Sequence, residues 1–210
     1  MLHTRQLRQV IEEAIAVEKQ EGHLADALRA SAGARGLQLT SHQFNSVFIF
    51  IHEYIEHIPA LLEDMMTVAE NQDLVLFMRP LLEEAEKYFL APSDLIPDRL
   101  GLLGLLDDAY VVHCIIQTIS DTVQEHTGHP ILLTDLSDTN QFIRDLIGEP
   151  HASLLDAAIE EELEHPAMQT SLLTLLESGK HFRLTSPDPI WGDVSIDDII
   201  SAQAGLWGRA

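Results

Sequence analysis

Apolar residues recur three and four apart along most of the chain, as in Leu7, Val10, Ile11 and Ala14, and again in Phe44, Val47, Phe48, Ile51, Ile55 and Ile58. That is the period of a helix with one buried face, and no convincing strand pattern competes with it over most of the length. Local chemistry predicts the limits. Thr4 caps a first helix, Gly33 and Gly36 close an N-terminal hairpin, and Ser41 caps a long helix ending near His57. Pro59 and Pro80 suit the first turns of the next two helices, where no intrahelical amide bond is lost. Later helices are expected over about 107–125, 137–147, 152–164 and 168–177, separated by "TGHP", "GEPH" and the His165–Pro166 step. The prediction is an all-α fold, a multi-helix bundle of roughly seven to nine helices over residues 1–178. A C-terminal tail, 179–210, changes character: "GKHFRLTSPDPIWGDV" reads as a loop or short extended piece, followed by a short last helix near 195–204. It carries both tryptophans, Trp191 and Trp207, and is expected to pack on the bundle or to anchor a partner or second subunit.

Composition narrows the class. A chain of 210 residues, 46% hydrophobic, can bury a sizeable core, which excludes wholesale disorder. The most apolar run, Leu100 to Ser120, is broken in its middle by Asp107 and Asp108, so no transmembrane segment is expected. The opening "MLHTRQLRQVIEEAI" reads as a surface helix rather than a signal peptide. Cys114, in "VVHCII", has no cysteine to pair with and reads as a small buried thiol in a reducing cytoplasm, which sets the expected localisation. The net charge is −22, yet residues 1–35 are neutral with five bases and five acids, so the body carries the whole excess. Such a surface excludes nucleic acid as a partner and disfavours anionic lipid, while a basic protein or a cation would be attracted.

Residues 88–112, "YFLAPSDLIPDRLGLLGLLDDAYVV", place four aspartates in one of the most apolar parts of the chain. A carboxylate buried without partners costs several kcal/mol, so each must be capped, paired, metal-bound or solvated. On the architectural reading, Asp94 accepts from backbone amides in a turn fixed by Pro92 and Pro97, and Asp107 or Asp108 caps the helix that follows. On the sharper reading, Asp94, Asp98, Asp107 and Asp108 converge to hold a hard divalent cation.

This stretch resembles the YkvA-like family, a domain family of unknown function. The shared residues are Pro92, Asp94, Leu95, Ile96, Pro97 and Asp98, then Gly104, then Leu106, Asp107 and Asp108. The likeness covers about residues 80–115. Ala91 stands where a serine is usual, and Arg99 and Gly101 where the family tends to have an aromatic and a proline. The resemblance implies a helical hairpin built around the motif, attached to membranes in some relatives, and no established activity.

Other constellations are weaker. His52 with Glu56, and Glu53 with His57, stand four apart and share helix faces, but the histidines lack the His-Glu-x-x-His spacing of zinc proteases. Glu162 and His165 have the Glu-x-x-His spacing of di-iron bundles, which need two such motifs and two further glutamates. Cys114 and His113 are adjacent on a helix and diverge by about 100°, so they form no dyad. "GLLG" at 101–104 suits close helix approach rather than phosphate binding. No catalytic residue and no cofactor are predicted. The reading is a protein-interaction or scaffolding module, with a protein partner or self-association. Two rivals are a metal-dependent enzyme using the aspartates or a His/Glu helix site, and a peripheral membrane protein using the apolar 100–106 segment.

Overall fold

Leu7, Ile11, Ala14 and Glu18 form the buried stripe of α1 (Thr4–Glu21), at the spacing of a one-sided helix. The computed structural model describes residues 2–34, 36, 38–91, 96–132 and 134–179. Among them are α1, α2 (His23–Ala34), α3 (Ser41–Asn71), α4 (Val75–Phe89), a short 3-10 helix (Asp98–Leu103), α5 (Leu106–Thr127), α6 (Ser137–Ile147), α7 (His151–Glu164) and α8 (Pro166–Glu177). The described residues contain eight α-helices and no strand, so the fold is all-α.

Four local expectations are corrected. Thr4 is the first residue of α1, whose cap position is taken by His3 without a side-chain cap bond. Thr40, not Ser41, caps α3: Gln43 N donates to Thr40 Oγ1 at 3.2 Å and Thr40 N donates to Gln43 Oε1 at 3.0 Å, a reciprocal capping box. That helix runs through His57 and Pro59 to Asn71, and Pro80 is likewise interior to α4. A proline inside a helix costs about 3 kcal/mol, a loss that burial of Ile58, Leu61, Leu62 and Met65 around Pro59 offsets. The first corner of the chain falls at Gly22 (φ 68°), between α1 and α2, while Gly36 (φ 70°) follows α2.

Helix α5 is the axis of the bundle. Its residues from Leu106 to His113 are buried in an unbroken run, because α3, α4, α6, α7, α8 and the 3-10 helix all pack against it. A helix buried all round is one that is enclosed, and this run takes Asp107, Asp108 and His113 inside with it. Helices α1 and α2 lie over the 3-10 helix and α3, and α8 packs along α4. Among the described residues, no helix is long and apolar enough to cross a membrane.

Candidate functional site at the start of the central helix

The chain enters α5 through the 3-10 helix, which breaks at Gly101 (φ 65°, ψ −133°), a conformation open essentially only to glycine. A Cβ there would stand 2.9 Å from the Ala14 carbonyl oxygen, 3.1 Å from Val17 Cγ1 and 3.2 Å from the Glu18 amide nitrogen. The 3-10 helix therefore lies backbone to backbone on α1. Proline, with φ locked near −65°, could not follow this path.

Asp107 and Asp108 stand in the first turn of α5, only 1% and 2% exposed. The cap position belongs to Leu105, and no side chain makes a cap bond there. Asp107 instead reaches back: its Oδ2 accepts from the Ile96 amide at 3.0 Å. The carboxylate ties the Ile96 backbone, just before Pro97, to the helix start, where the dipole also favours negative charge. Pro97 precedes the 3-10 helix in an extended conformation. Pro92, Asp94, the Asp98 side chain, Trp191 and Trp207 lie outside the described residues.

Two glutamates that sequence reasoning missed do similar work between helices. Glu18, 6% exposed, accepts from Leu24 N at 2.8 Å and Ala25 N at 3.1 Å, satisfying amides in the first turn of α2. Glu86 of α4, 3% exposed, accepts from the His3 amide through Oε1 and faces His3 Nδ1 at 3.2 Å through Oε2, which fixes the start of α1. Ser120 Oγ accepts from Ile131 N and Leu132 N, and Gln117 Oε1 from Leu136 N, fastening the α5–α6 connection. The cleft beside them, about 250 Å³, is also lined by Asp121 and Asp135.

A buried aromatic stack crosses from α3 to α5. The Tyr54 ring lies on His113 with centroids 4.0 Å apart, and the His57 ring is stacked 6.0 Å from His113. Tyr54 donates its hydroxyl to Asn140 Oδ1 of α6 at 2.9 Å. His113 Nδ1 is 2.9 Å from the Ala109 carbonyl, which can only accept, so Nδ1 carries the proton of a neutral ring. Burial lowers His113 to about 3, helped by the nearby His57, and lowers His57 to about 4. Burial likewise raises Tyr54 well above its ordinary range and Cys114 to about 12. The thiol is thus held protonated, as a nucleophile would not be.

Residues 87–114 match the model of DUF1232, a protein of unknown function. The YkvA-like resemblance is consistent with that match, which takes in the end of α4, the 3-10 helix and the first turns of α5. No curated protein and no solved structure matches the chain.

The remaining candidates separate. His52 Nδ1 meets Glu56 Oε2 at 3.3 Å on the surface of α3. His165 joins α7 to α8, and its Nδ1 accepts from the Ala167 amide at 3.4 Å, so it serves as a cap. Glu162 lies toward α4, where desolvation and the like charge of Glu84 raise its carboxyl while Lys87 and His165 lower it. Among the described residues, no group of three or more His, Cys, Asp or Glu is placed to hold a metal ion.

Proposed function

We propose that this protein is a cytoplasmic protein-interaction or scaffolding module that offers an acidic helical surface to a basic protein partner. One observation carries the reading: five buried polar side chains are committed to architecture. Glu18, Glu86, Asp107, Ser120 and Gln117 each accept backbone amides from other elements. Burial, meanwhile, keeps His57, His113 and Cys114 in their neutral forms. Groups so engaged hold a shape rather than move protons. The surface is left to act, and its charge is concentrated outside the neutral residues 1–35. On α7, Glu160, Glu161 and Glu164 are exposed beside Glu162, whose carboxyl feels Glu84 of α4.

The test is cross-linking of the full chain in native lysate, followed by reconstitution with each purified partner. The reading expects a saturable complex that weakens as ionic strength rises and on Glu160→Lys with Glu161→Lys. A complex indifferent to both, or no saturable protein complex, overturns it. So does a melting temperature that falls with chelator, or binding to anionic vesicles, since these are the marks of a metal enzyme and of a membrane protein.

A further inference from the structure

Two leucines on neighbouring helices stand out of the core. Leu76, in the first turn of α4, is 83% exposed, and Leu173, in the second half of α8, is 56% exposed. The direction of α8 follows from where it begins. Glu162, just before the α7–α8 junction, interacts with Glu84 and Lys87 in the second half of α4. Helix α8 therefore sets out from that half and, packed along α4, brings its last turns back toward the first turn of α4. Leu76 and Leu173 share one end of the helix pair. It is the end from which residues 180–210 continue.

That continuation is rich in what the surface would bury. It holds both tryptophans of the chain, together with Ile190, Ile196, Ile199 and Ile200. Reach is ample: the stretch from Gly179 to Trp191 spans up to about 40 Å when extended, whereas all of α4 is about 22 Å long. A tethered segment meets this surface at an effective concentration in the millimolar range. A second copy would have to approach against a net charge of −22.

We propose that the segment from Ile190 to Trp207 docks within its own chain on the Leu76–Leu173 end of the α4–α8 pair. Intrinsic fluorescence tests it cleanly, because both tryptophans belong to the segment and the bundle contributes none. The full chain is expected to emit to the blue of free indole and to resist acrylamide, equally at low and high protein concentration. Leu76→Asp with Leu173→Asp should shift emission to the red and raise the quenching constant several-fold. Both sites are exposed, so the circular dichroism of the bundle should hold; Leu76→Gln with Leu173→Gln gives the same reading without added charge. Free-indole emission from the wild type overturns the proposal. So does unchanged emission in both double variants. A blue shift that grows with concentration alongside a dimer mass in light scattering also overturns it, and assigns the surface to a second copy.

Discussion

Lowering the pH from 7 to 5 should destabilise the bundle before its carboxylates titrate, and the Tyr54–His113–His57 stack sets the size of the effect. The folded-state values are about 3 for His113 and about 4 for His57, against 6.5 for an unburied ring. The unfolded chain therefore takes up protons below pH 6.5 that the folded chain refuses. Stability is fully present above that value, falls as pH drops, and levels off only below the folded pKa. The slope is about 1.36 kcal/mol per pH unit for each ring, so His113 alone removes about 2 kcal/mol between pH 7 and pH 5. His57, less deeply buried, adds less. Asp121 and Glu162, whose carboxyls are raised, work the other way but are more open to solvent. The measurement is urea unfolding at both pH values, followed by helical circular dichroism because the bundle has no tryptophan. His113→Phe keeps a ring against Tyr54 and should shrink the pH 7-to-5 difference by about 2 kcal/mol, whatever it does to stability at pH 7. A wild type equally stable at both values, or a variant with the full drop, refutes the reasoning.

Gly101→Ala should cost about 2–4 kcal/mol, from a disallowed backbone conformation and a clash with the α1 backbone; a melt within a degree of wild type would refute the close approach. Asp107→Ala should lose about 1.5–3 kcal/mol and Asp107→Asn clearly less, because an amide oxygen still accepts from Ile96; equal losses would show that the charge, not the hydrogen bond, matters. With its thiol raised from 9 to about 12, Cys114 should react with iodoacetamide at pH 8 about a thousandfold more slowly in the folded protein than in urea, and comparable rates would refute its protected state.

Much of the bundle was legible because apolar periodicity survives in every long helix, and α6 occupies the predicted residues 137–147. The errors fall where tertiary packing overrides a local signal. Pro59 and Pro80 are ordinarily read as helix starts, yet the core on both sides carries each helix through them. Gly22 is hard to read as a corner because the polar run around it, Glu18 to His23, looks equally like one more exposed helical turn. The interhelical carboxylates left a readable trace: Glu18 continues the stripe of Leu7, Ile11 and Ala14, and Glu86 falls among Leu82, Ala85 and Phe89. An acid on the apolar face must find donors, but its partners lie on other helices at distances no spacing rule supplies. The same holds for His113, whose stacking partner Tyr54 comes from α3.

The contacts that hold α1 and α2 have a kinetic side. Gly101 rests on Ala14 and Glu18, and His3 meets Glu86 across 83 residues of sequence. Such contacts close a large loop, and their entropy cost must be met before they return any stabilisation. The two N-terminal helices also carry their own internal tie, Glu18 to the start of α2. That tie couples the two helices, so opening of one is expected to take the other with it. In amide exchange, α1 and α2 would open together, at a single free energy below that of the central helix. An arm that releases whole, rather than fraying residue by residue, would uncover the 3-10 helix in one step.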